Sequence, residues 1–186
     1  MSIELIVGPM FSGKTKTLLR RIRDLERNRQ NIVLCITHAD DDRYTMENQI
    51  VSHDGDSHVA IAVRELLPLV SLPIYRNATH IIIEECQFFP DLFPFVTKGA
   101  DAHRKAFICA GLDGDFMREP FGQVIDLVPH CDTIQKLNAD CARCSEKGTA
   151  IFTARRRGRG SDQVYIGGKE TYEPMCRRHY IQYYYE

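Results

Sequence analysis

Short unbroken apolar runs alternate with amphipathic stretches over the first two thirds of the chain. Ile3–Val7, Ile32–Thr37, Ile81-Ile82-Ile83 and Ala106–Ala110 are runs of the kind that form strands buried on both faces. From Lys14 to Asn28 the spacing is helical: Leu18, Leu19, Ile22 and Leu25 share one face, and Arg20, Arg21, Arg23 and Arg27 lie mostly off it. Asp40–Ser57 is polar and aperiodic and is predicted as a loop. Ile61–Val70 reads as a short helix ending before Pro73, and Asp91–Lys98 as a helix in spite of Pro94. Strands alternating with helices predict an α/β fold, a parallel sheet covered by helices. The character changes near Asp140, where Cys, Gly, Arg and Tyr take over and long apolar runs vanish. The expected organisation is an α/β unit over 1–139 and a small C-terminal unit over 140–186.

Composition narrows the class without naming it. Apolar residues make up 44% of the 186, enough for an ordinary core. The formal charge of −1 gives no global field toward nucleic acid or an acidic membrane, and no apolar run approaches the ~18 residues of a membrane span. Met1–Val7 reads as a first strand and not as a signal peptide. Seven cysteines, with Cys35 and Cys109 inside apolar runs, do not suggest a disulfide framework. A reducing, cytoplasmic setting is therefore expected, and the clustered cysteines call for metal or redox chemistry.

Three constellations carry chemistry. Gly8-Pro9-Met10-Phe11-Ser12-Gly13-Lys14-Thr15 fits G-x-x-x-x-G-K-[ST], between an apolar strand and an amphipathic helix. Such a P-loop wraps backbone N–H groups around phosphate oxygens, and the helix start adds positive potential. Lys14 can reach the β- and γ-phosphates and the Thr15 hydroxyl can ligate Mg²⁺. Glu84 and Glu85 follow the apolar run Ile81–Ile83, at the strand end that faces the ligand crevice in open α/β sheets. One acid there can serve Mg²⁺ and the other can take a proton from an acceptor hydroxyl. The bland alternative is a pair of solvated surface glutamates. Cys141-Ala142-Arg143-Cys144 and Cys176-Arg177-Arg178-His179 are two knuckles separated by 31 residues (145–175). Three thiolates and an imidazole make a closed tetrahedral Zn²⁺ set, structural because no position is left open. A redox C-x-x-C is the rival for the first pair. The tethered Gly- and Arg-rich segment between the knuckles reads as a lid, with Arg155–Gly160 either a solvated tip or a contact for phosphate or nucleic acid.

In this order the motifs resemble the cytosolic-type thymidine kinases over nearly the whole chain. The likeness rests on Gly8–Lys14, Asp41-Asp42-Arg43-Tyr44, Ser52-His53-Asp54 and Glu84-Glu85-Cys86-Gln87-Phe88-Phe89. It continues through Gly111–Phe116, Pro120-Phe121-Gly122 and Gly167-Gly168-Lys169-Glu170-Thr171-Tyr172, the last within a lasso flanked by the zinc knuckles. The resemblance implies transfer of the ATP γ-phosphate to the 5′-hydroxyl of thymidine. Glu85 would be the general base, Glu84 with Thr15 the magnesium side, and Arg43 a helper at the reacting phosphate. Met10, Phe88, Leu112, Phe116, Phe121, Thr153 and Tyr172 would surround the nucleoside, and backbone groups over Val164, Tyr165 and Ile166 would read the base edge. It further implies a homotetramer inhibited by dTTP, while the near-zero charge and the lack of a long apolar run speak against a nucleic-acid or membrane partner. Two positions depart from the pattern: Glu84 where an Asp is usual, and Cys86 where a smaller residue is usual. Three rivals stay open: another deoxynucleoside as acceptor, a silent nucleotide sensor, and a zinc-ribbon nucleic-acid binder.

Overall fold

The structure is a computed structural model that describes residues 1–40, 49–52, 54–156, 162–165 and 167–186. Arg43 and its neighbours in 41–48, His53, the tip 157–161 and Ile166 lie outside the described residues.

The apolar runs pair side by side. Six strands form one parallel sheet in the order β5-β2-β6-β7-β1-β8. They are β1 (Ser2–Val7), β2 (Val33–His38), β5 (Ile61–Val63), β6 (His80–Ile83), β7 (Ala106–Gly111) and β8 (Thr133–Lys136). Side chains alternate between the faces, so the central strands β1, β2, β6 and β7 feed two cores. Ile3, Leu5 and Val7 join one with Phe95 and Val96 of α3 (Leu92–Asp101). Ile6, Ile82 and Ile108 join the other with Leu18, Leu19 and Ile22 of α1 (Lys14–Glu26). The expected parallel sheet covered by helices is what the chain forms. Pro94 sits in the first turn of α3, where a missing N–H removes no helical hydrogen bond.

Three expectations need correction. Ile61–Val70 is not one helix: Ile61–Val63 is the edge strand β5, and a 3₁₀ turn follows over Leu67–Ser71. The β-branched ends of Ile61-Ala62-Val63 suit a strand beside β2, whereas Pro68 suits the opening of the turn. Pro73 begins a helix, α2 (Pro73–Asn77), instead of following one. The polar stretch before Ile61 is not all loop, since β3 (Gln49–Val51) pairs antiparallel with β4 (Ser57–Val59).

Past β8 the chain leaves the sheet. Ala139 and Ala150 bridge, β9 (Phe152–Arg155) pairs antiparallel with β10 (Tyr172–Met175), and α4 (Arg177–Tyr185) ends the chain. Tyr180 of α4 is fully buried and donates its hydroxyl to the Phe116 carbonyl at 2.6 Å, tying this unit to the sheet unit. No helix among the described residues is long and apolar enough to cross a membrane.

Candidate active site and metal centre

The phosphate loop leaves β1 and runs into α1 at Lys14. Gly8 passes so close to β8's end that a Cβ there would lie 2.3 Å from the Leu137 carbonyl oxygen. Only glycine fits this approach, which lets the loop fold back tightly. Lys14 Nζ donates to the Gly8 and Pro9 carbonyls, each at 3.0 Å, so its ammonium lies over the loop. The Ser12 hydroxyl is buried and has no hydrogen-bond partner among the described residues. A buried hydroxyl left open in a loop of this sequence fits a phosphate oxygen, which would satisfy it.

β6 lies one strand beyond β7 and brings its acids to the same edge. Glu84 is buried and accepts the Thr15 hydroxyl proton at 2.5 Å. A hydroxyl and a carboxylate in contact beside a phosphate loop are hard oxygen donors of the kind Mg²⁺ takes. The extra methylene of Glu84 is thus accommodated with its carboxylate against Thr15. Glu85 is half-buried and has φ 50° and ψ 43°, a left-handed conformation uncommon outside glycine. The two carboxylates therefore diverge through a turn at Glu85 and not through strand pleating alone. Glu85 accepts from the Gln87 amide at 2.6 Å. Cys86 is wholly buried, and burial pushes its thiol well above the ordinary range, so it packs as a neutral group.

Beside these acids lies a cleft of about 520 Å³, counting its open mouth. The sheet unit contributes Met10, Phe88, Leu112, Phe116 and Phe121, and the C-terminal unit contributes Thr153, Val164, Tyr165 and Tyr172. All nine described members of the expected nucleoside set thus converge on one cavity. Phe88 and Phe121 meet edge to face at 5.6 Å, giving the floor an apolar wall. Thr153 accepts from the Met10 N–H at 3.0 Å and ties β9 to the phosphate loop. Gln87, Gly114, Asp115, Gln163 and Gly167 also line the cleft, although sequence reasoning passed over them. Gln87 and Asp115 lay inside quoted motif blocks, which was the available signal. Gln163 had none.

Arg155 changes the reading of the arginine run. It is not at a solvated tip: it is 3% exposed, with its guanidinium 3.8 Å from the Phe116 ring centroid. It donates to the carbonyls of Asp162 and Gln163 and to the Tyr172 hydroxyl, which in turn donates to the Tyr165 carbonyl at 2.7 Å. Gln163 Nε2 reaches Asp115 Oδ2 at 2.8 Å. A planar fork with five donors suits the task of holding several lid carbonyls at once. Arg156 bonds the Lys169 carbonyl, and the remainder of the run lies outside the described residues.

At the far end of the lid, Cys141, Cys144, Cys176 and His179 bring their ligand atoms within 4.8 Å of one another. Cys144 and Cys176 sulfurs are 3.6 Å apart, and His179 Nδ1 is 3.3–3.5 Å from the three sulfurs. A tetrahedral zinc site has edges of about 3.8 Å between sulfurs and about 3.5 Å between sulfur and nitrogen. The donor set and its dimensions fit Zn²⁺. Burial disfavours the Cys141 thiolate, but backbone N–H groups at Cys176 and Arg143, with His179 and Cys144, outweigh it and bring the thiol down to about 6. That favours the thiolate a metal needs.

Comparison with known proteins agrees with this geometry. The family model described as thymidine kinase matches residues 1–180. Thymidine kinase a of Arabidopsis thaliana is 39% identical over 183 residues, covering 97% of this chain and 75% of that protein. The thymidine kinase of Amsacta moorei entomopoxvirus is 39% identical over 183 residues, covering 95% and 96%. That of vaccinia virus (strain Western Reserve) is 35% identical over 179 residues, covering 96% of each. A phosphate loop, a paired acid and a lidded cleft are thus found in a chain matched almost from end to end, and the chain belongs to the thymidine kinase family.

Proposed function

We propose that this thymidine kinase moves the γ-phosphoryl group of ATP to the 5′-hydroxyl of thymidine, with Glu85 as the general base. The observation that carries the reading is the convergence of the phosphate loop, the Glu84–Glu85 turn and the apolar cleft at one edge of the sheet. The loop N–H groups cradle the phosphates, and Lys14 moves from its own loop carbonyls to the β- and γ-oxygens as charge develops there. Thr15 and Glu84 would hold Mg²⁺, directly or through water. When bound, that ion neutralises phosphate charge and orients the transferring group. Glu85 takes the 5′-hydroxyl proton as the oxygen attacks phosphorus. Phe88, Phe121, Met10 and Leu112 hold the nucleoside, and the lid closes over it and excludes water. Arg43 would sit at the reacting phosphate, and the lid backbone at Val164–Ile166 would read the base edge.

The same reading assigns residues 1–139 to catalysis and 140–186 to the lid, with a structural Zn²⁺ in the lid. It takes a cytoplasmic homotetramer inhibited by dTTP as the working assembly. Deoxyuridine, which lacks only the 5-methyl, is a weaker acceptor. The experiment is a coupled assay of ADP release with ATP and Mg²⁺. The expected result is release that depends on thymidine and yields dTMP. Release unaffected by thymidine would exclude the reading, as would nucleotide binding without turnover.

A further inference from the structure

Gln87 is buried at 3% exposure, lines the cleft, and touches the Glu85 carboxylate. Its amide cannot face either way. The backbone N–H of Leu112 can only donate, so the atom it meets at 3.0 Å is the amide oxygen Oε1. The NH₂ group is thereby turned to Glu85 Oε2, 2.6 Å away. A Cβ on Gly111 would fall 2.5 Å from Oε1, so the strand end must be glycine for this amide to enter. The left-handed Glu85 opens a 3₁₀ turn over Cys86–Phe88, closed by the Phe88 N–H on the Glu85 carbonyl at 3.1 Å, and this turn carries Gln87.

We infer that Gln87 is the positioning residue of the base: its amide orients the Glu85 carboxylate while linking it to the Leu112 wall of the nucleoside cleft. The inference rests on the reading of Glu85 as the base. Anchoring Oε2 fixes where Oε1 lies relative to Leu112, and a small error in such placement is costly to rate. The same amide therefore sets the aim of the group that takes the proton.

The test compares the parent with Gln87→Glu, Gln87→Leu and Glu85→Gln by single-turnover rate at saturating substrate and by thymidine affinity from calorimetry. Gln87→Glu can still accept from Leu112 and so protects the fold, but as a carboxylate it cannot donate to Glu85. Its turnover is expected to fall by ~10–10²-fold, with thymidine affinity kept within about threefold, a loss in rate and not in binding. Gln87→Leu should slow in the same way, since it too lacks the donor. A Gln87→Glu protein that turns over like the parent, or whose defect is confined to thymidine affinity, would overturn the inference. Glu85→Gln separates the two readings. If it is inactive while the Gln87 variants keep the parent rate, the positioning role alone is lost. If it turns over like the parent, the base assignment falls and this inference with it.

Discussion

Glu85→Gln should leave a folded protein that binds ATP and thymidine but turns over ~10²–10⁴-fold more slowly, the usual range for loss of a general base. The change keeps the shape of the side chain but removes its proton affinity. Glu85 is half-buried in a turn whose neighbours Cys86 and Gln87 are buried, and an amide of equal size disturbs neither. Binding should survive because the phosphate loop lies between β1 and α1, and most of the cleft wall, including Met10, Leu112, Phe116, Phe121 and Tyr172, lies outside the turn that carries Glu85. Single-turnover kinetics with a thermal melt alongside would check this. A fold change below about tenfold would move the base elsewhere.

Removal of a metal from the Cys141, Cys144, Cys176 and His179 cluster should strike the C-terminal unit and spare the sheet. Structural zinc sites contribute about 10–16 kcal/mol of apparent binding free energy, comparable with the total stability of a small domain at about 5–15 kcal/mol. The knuckles sit on a small local core, Ala139, Cys141 and Ala150 with Cys144 and Cys176 packed on it. The sheet cores contain none of the four ligands. Chelation, or Cys144→Ser, should therefore weaken thymidine binding by roughly 100-fold or more, about 3 kcal/mol. Thr153, Val164, Tyr165 and Tyr172 would no longer roof the cleft. Far-ultraviolet dichroism should retain most of its signal. Metal analysis should find one Zn²⁺ per chain, and a fully active protein containing no metal would refute the assignment.

The parts legible in the sequence were those whose chemistry allows few alternatives. A phosphate loop needs glycine at its close approaches and a lysine at a set distance, and Gly8 against Leu137 shows why. Ile81–Ile83 could be read as a central strand because burial on both faces removes polar alternation. Edge elements were not legible. Ile61-Ala62-Val63 is too short to distinguish strand from helix by period, and the neighbours that decide it are on β2. β8 exposes most of its residues, so it carries no apolar run, yet it pairs with β1 over Glu4–Val7. At the site, the nucleoside cluster followed from family motifs, while the ties among its members did not. Arg155 looked like one more surface arginine until the lid folded over it and gave its guanidinium three acceptors and the Phe116 ring. Gln163 finds Asp115 only because the lid returns across 48 residues of sequence. Such contacts are made by tertiary closure, and local pattern holds no trace of them.

The central claim is that one cleft presents thymidine to the phosphate loop, with the lid reading the base. The direct measurement is kcat/KM for thymidine, deoxyuridine, deoxycytidine and deoxyguanosine under one condition. Fixed backbone groups distinguish a thymine or uracil edge from cytosine, which offers a donor where thymine has an acceptor. Each buried group left unpaired by that mismatch costs about 1–3 kcal/mol, so deoxycytidine should be rejected strongly. The 5-methyl contributes about 1–3 kcal/mol by apolar contact with walls such as Met10 and Leu112, so deoxyuridine should remain a measurable but poorer substrate. Deoxyguanosine should fail because its second ring meets the lid. Equal kcat/KM for deoxycytidine and thymidine would contradict the account, since the lid would then not be reading the base.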